Sequence, residues 1–184
     1  MRKRNIQPKV TKQIFADSAG VCCMCEQDFR NENGVTAVQA HIYGLNPNSA
    51  RYDENLSNEF LNSSENLIAV CPNCHMEIDQ ISPDKYPAEK LFEFKYRHIS
   101  NVIIDRFNRR LNDFYDYLEA IGYDDINSTE DAKIWIKNEI TTYVNNSRNS
   151  LPDSKIKELK MELESISREI IRKIDRIFRD KEDE

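Results

Sequence analysis

Two cysteine pairs constrain this chain more than any other feature: Cys22-x2-Cys25 and Cys71-x2-Cys74. The x2 spacing places two sulfurs on one tight turn, and two such turns can close a tetrahedral zinc site. His41 and Asn66 lie between the pairs, and His75 follows the last cysteine directly. Four thiolates leave the ion no open position for water or substrate, so the zinc is expected to be structural. Its task would be to staple a small unit with little core of its own. Cys23, the fifth cysteine, reads as a small buried apolar residue, with an alternative metal ligand as the other reading.

The rest of the composition narrows the setting. No apolar run approaches the roughly 20 residues that span a bilayer. The N-terminus, Met-Arg-Lys-Arg-Asn-Ile-Gln-Pro, is basic but is followed by no apolar signal core. The expected location is the cytoplasm, with no membrane partner, where paired cysteines point to metal rather than disulfides. The formal net charge is −6, and neither half of the chain is basic, which argues against generic nucleic-acid binding. Contact with DNA would fall to a local patch, for which Arg2, Lys3, Arg4, Lys9 and Lys12 are the candidates. The same cluster also reads as a solubilising tail.

Pattern along the chain predicts an α+β, mostly helical protein. Pro8–Ser18 reads as a first helix, with Pro at its start and Gly20 past its end. Residues 35–42 and 66–70 read as strands, separated by an Asn- and Ser-rich loop in which Ser57 can cap a short turn. A helix from His75 should stop before Pro83, completing a strand–loop–strand–helix unit. Helices are then expected from Pro87 through Tyr96, from Asn101 to Ile121 ending at Gly122, and from near Ser128 with Asp131 at the capping-box position. A last helix covers 152–180. In it Ile156, Leu159, Leu163, Ile166, Ile170, Ile174 and Ile177 form a heptad-like seam, open to packing in its own domain or to a partner or homodimer. The domain division is 1–98 and 99–184.

Within the first part, each candidate has a chemical use. Hydrolysis of a phosphodiester needs an activated water, a Lewis acid on the phosphate and stabilisation of the leaving oxygen. His41, at a strand end, has a side chain whose pKa suits a general base. Asn66 can hold it in orientation, directly or through the backbone. His75 and Asp79, four apart, share a helical face and can chelate one divalent ion, Mg²⁺ or Mn²⁺. Arg51 in the loop can reach the phosphate as a bidentate donor. His98, in Lys95-x2-His98, reads as a packing or capping residue.

These residues resemble the HNH endonuclease family, of the ββα-metal fold. The matching stretch is Cys22-x2-Cys25, Ala40-His41-Ile42, Asn66-Leu67-Ile68 and Cys71-Pro-Asn-Cys74-His75. The loop from Asn48 to Asp53, Ile78-Asp79, Tyr86-Pro87 and Lys95-x2-His98 are similar to a subgroup seen in bacterial restriction-like and anti-phage defence systems. The resemblance implies a zinc-stapled ββα core, His41 as general base, Asn66 as positioning residue and His75 on the catalytic metal. It implies DNA, or RNA, as substrate. One position departs: many members carry Asp or His just before the first motif histidine as a metal ligand, and here it is Ala40. Asp79 is the residue that could replace it.

Two readings follow. One is a metal-dependent endonuclease serving a bacterial defence system. The other is a zinc-stapled module whose nuclease site has decayed, with the C-terminal helices as its working part. Sequence-specific zinc-finger binding fits poorly, since His-Met-Glu-Ile-Asp-Gln after Cys74 offers base edges no Arg or Lys.

Overall fold

A computed structural model describes residues 2–32, 34–121 and 129–182 of the chain. It is α+β and mostly helical, and it divides into two compact units, Met1–Val102 and Ile103–Glu184. The division falls at 102/103 rather than at 98.

The first unit opens with α1, Pro8–Ser18, where Pro8 takes the first helical position. Ala19 then adopts the left-handed conformation (φ 52°) that ends the helix. A short hairpin follows, β1 (Arg30–Asn31) against β2 (Gly34–Val35). The main sheet is the antiparallel pair β3 (Val38–His41) and β4 (Leu67–Val70). Its register pairs Val38 with Val70, Gln39 with Ala69, Ala40 with Ile68 and His41 with Leu67. The expected strand over 35–42 is therefore shorter, because Val35 pairs in the other hairpin. Within the long excursion between β3 and β4 lies one helical turn, α2 (Asn58–Leu61). Ser57 caps it, its Oγ accepting from Phe60 N at 3.1 Å.

After β4 the chain enters α3, Pro72–Met76, which runs on as a π-helical turn over Glu77–Ile81 and then a 3-10 turn over Pro83–Lys85. Strand, strand and helix thus follow in the expected order. The core is made by Ile14 of α1, Ile42 after β3, all four residues of β4, Ile78 of the π turn and Ala88 and Leu91 of the next helix. Alternation along β3 decides which residues join it. Ala40 is 1% exposed and faces the core, while Gln39 and His41, on either side, lie on the other face.

Helix α4 is a single element, Ala88–Ile121, where the sequence pattern predicted two. Ser100-Asn101 has the look of a cap, but Ile99 before it and Phe107 after it are both buried on a continuing helix. Packing outweighs a capping preference of about 1 kcal/mol. Gly122 and Ser128 lie outside the described residues, as does the side chain of Ile177.

The second unit packs the later part of α4 with α5 (Thr129–Ser147) and α6 (Asp153–Glu182). Phe114 stacks on Trp135 with ring centroids 3.9 Å apart, and Phe107 meets Tyr143 edge-on at 5.3 Å. The α6 seam is largely buried in this bundle: Ile156, Leu159, Leu163, Ile170 and Ile174 are buried and Ile166 half-buried. Of the two uses open to that seam, packing within its own domain is seen here. No described helix is long and apolar enough to cross a membrane.

Candidate functional site

The four paired cysteines converge. The sulfurs of Cys22, Cys25, Cys71 and Cys74 all lie within 4.8 Å of one another, and Cys25 Sγ is 3.8 Å from Cys71 Sγ. A tetrahedron with Zn–S bonds of about 2.3 Å has edges of roughly 3.8 Å, so this cluster can hold an ion such as zinc. Each pair sits on its own turn. Around Cys22, the Glu26 N–H donates to Cys22 O and the Cys22 N–H to Gln27 O, both at 2.9 Å. Glu26 takes a left-handed φ of 60° to close that turn. Cys71 is the N-cap of α3, its sulfur 3.5 Å from the Cys74 N–H. Cys23 points away: it is buried, and burial pushes its thiol up to about 12. It behaves as the apolar residue its position implied.

The cysteine cluster includes the N-cap of α3, and α3 carries His75 back across β3. His75 Nε2 lies 3.1 Å from Asp79 Oδ2, the contact expected of residues four apart on one face. The other oxygen, Asp79 Oδ1, pairs with Arg51 Nη2. His41, Arg4, Gln39, Asn46, His75 and Asp79 all line one cleft of about 140 Å³, together with the 44–50 loop. Burial, then the charge of Arg4 and of His75, holds His41 down to about 4, against the pull of Asp79. Its imidazole is neutral near pH 7, and a weaker base than a free histidine.

Three side-chain atoms in this cleft are buried without a hydrogen-bond partner: His41 Nε2, Gln39 Nε2 and Asn46 Oδ1. Among the described residues these are the unsatisfied buried side-chain atoms, and all three line the same cavity. Unsatisfied buried polar groups cost about 1–3 kcal/mol each, so their gathering in one place marks a site that polar ligands complete.

Asn66 positions His41 through the backbone. It is fully buried; its Oδ1 accepts from Tyr43 N at 2.8 Å, and its Nδ2 donates to Tyr43 O (3.0 Å) and Leu61 O (3.1 Å). The Ile42 N–H bonds to Asn66 O. The two residues after His41 are therefore fixed, while Asn66 itself makes no bond to the imidazole.

Arg51 does something other than reach for phosphate. Its side chain is 7% exposed, and its Nε donates to Ile42 O (2.6 Å) while Nη1 donates to Ile78 O (2.7 Å) and Tyr86 O (3.4 Å). With Nη2 on Asp79, the fork is taken up in clamping β3, the π turn and the approach to α4. The guanidinium expected to serve a phosphate is thus engaged within the protein. His98, buried, bonds Ser18 O through Nε2 at 3.0 Å, and Lys95 Nζ donates to Ser64 O (2.5 Å) and Glu65 O (2.8 Å) just before Asn66. Both are ties within the first unit.

The basic N-terminus is no free tail. Arg2 donates to Asp53 O (2.9 Å) and Glu54 O (2.6 Å), with its guanidinium over the Tyr52 ring. The Asn5 N–H bonds Asn62 Oδ1 at 2.7 Å, and Asn62 Nδ2 donates to Lys3 O at 3.2 Å. This strap brings Arg4 to the cleft, where its Nη2 donates to Gln39 O at 3.0 Å. Gln39 and Asn46 were not singled out from sequence. For Gln39 a signal existed, since residues two apart on a strand share a face. Asn46 depends on the tight 44–50 loop, where the Gly44 N–H bonds Ala50 O and a Cβ on Gly44 would stand 2.2 Å from Ser49 Cβ.

Compared with protein-family models and with curated proteins, the chain matches none.

Proposed function

We propose that the first unit is a metal-dependent endonuclease of the HNH type, hydrolysing phosphodiester bonds in DNA. The observation that carries the reading is the cleft: a neutral histidine with an unpartnered Nε2 shares it with the His75–Asp79 pair. His41 accepts a proton from the attacking water, which shifts the nucleophile toward hydroxide as it meets phosphorus. A divalent cation, Mg²⁺ or Mn²⁺, on His75 and Asp79 would polarise the phosphate and offset charge on the leaving oxygen. Asp79 suits that duty because Arg51 holds one of its oxygens and so fixes the carboxylate plane. The zinc cluster keeps its structural role. A place in a bacterial defence system is part of the proposal, carried by the resemblance of the motif.

Ala40 is buried and pairs with Ile68, so the cation would have to be held by His75 and Asp79 with no ligand from that position. Plasmid cleavage with added Mn²⁺ tests the reading. His41→Ala should keep its zinc and its fold and lose cleavage by about 100-fold or more. Asp79→Ala should lose both cleavage and its dependence on added metal. Full activity in His41→Ala would sink the assignment.

A further inference from the structure

Once Arg51 is committed to the clamp, the cleft still needs a group to receive an anionic substrate. Arg4 has no carboxylate partner among the described residues, and one of its five N–H donors is spent, on Gln39 O. Two residues from the base on the same face, Gln39 lines the same cavity and carries a buried, unpartnered Nε2. Asn46 Oδ1, also unpartnered, is an acceptor and repels anionic oxygen. Donors thus gather at Arg4 and Gln39, with an acceptor at Asn46. We infer that Arg4 and the Gln39 amide form an oxyanion subsite that takes a non-bridging oxygen of a phosphodiester, an assignment resting on the hydrolytic reading of the cleft. The N-terminal strap is then part of the site: its bonds to Asp53, Glu54 and Asn62 hold Arg4 in place.

The test uses the zinc-loaded full chain labelled with ¹⁵N. The Gln39 side-chain amide is followed by NMR, its signals assigned by their loss in Gln39→Met. A short DNA duplex and inorganic phosphate are titrated separately, with no divalent ion added. The duplex should shift the Gln39 signals. Arg4→Ala should weaken that titration about tenfold or more, and Arg4→Lys by less, because a charge-assisted bond is lost in the first and a point charge kept in the second. Zinc content and circular dichroism of the variants confirm that they are folded. Signals that ignore the duplex, or that respond to inorganic phosphate alone, overturn the inference, as does an unchanged titration in Arg4→Ala. Cleavage separates the two claims. A protein inert with Mn²⁺ whose Gln39 still answers the duplex loses the endonuclease reading and keeps the subsite. Cleavage untouched by Arg4→Ala and Gln39→Met removes the subsite and keeps the endonuclease.

Discussion

Arg51 and Lys95 are buried cations that spend their donors mainly on backbone carbonyls. Burial pushes Lys95 down to about 8, with Asp17, Cys23 and Glu65 pulling the other way, so it remains charged at pH 7. Arg51 is the more costly to lose. Arg51→Ala would leave the carbonyls of Ile42, Ile78 and Tyr86 without this donor and Asp79 without its partner. The zinc-loaded protein should lose about 3 kcal/mol of stability in urea unfolding. Arg51→Lys should recover only part of that, because one ammonium cannot span the same acceptors. The cysteines and the His75–Asp79 contact were legible in sequence because x2 and i,i+4 spacings are local rules. The destination of Arg51 was not. Its acceptors come from residues 42, 78 and 86, and no local pattern brings those carbonyls to one point.

Among the elements, the short strands and the first helix follow their punctuation. Pro8 opens α1, Ser57 caps α2 and Pro83 ends the helical run after Cys71. Helix α4 shows where such signals fail, since Ser100-Asn101 carries cap chemistry but no interruption. The π turn over Glu77–Ile81 had no mark in the sequence, although it carries Asp79. Such turns recur at functional sites, where an added residue re-aims a side chain. For α6 the seven-residue repeat was plain, but whether it faced its own chain or another was not. Leu163 lies on that seam with no exposure. Leu163→Ala should cost about 3 kcal/mol in the second unit, visible as an earlier thermal transition by circular dichroism.

For the whole molecule, the division into units assigns separate sources of stability. Every cysteine belongs to the first unit, whereas the second is held by apolar and aromatic contacts among α4, α5 and α6. Removing metal with a strong zinc chelator should therefore act unevenly. Amide exchange within 21–79 should rise steeply, while protection in 129–174 should change little, because site-forming metal binding is also folding free energy. Equal loss in both regions would contradict that independence. The helical character of the later part was legible from its apolar periodicity, whereas the change of unit falls inside one continuous helix, which no local pattern marks.

The Asn66 side chain has one more consequence. By bonding both backbone groups of Tyr43 and the Leu61 carbonyl, it fastens the two ends of the excursion between β3 and β4 to each other. The chain between those ends can therefore bend outward without pulling on either of them. Insertions beyond Arg51 and before Ser57, outside the residues that line the cleft, should leave the backbone at Tyr43 and Leu61 in place.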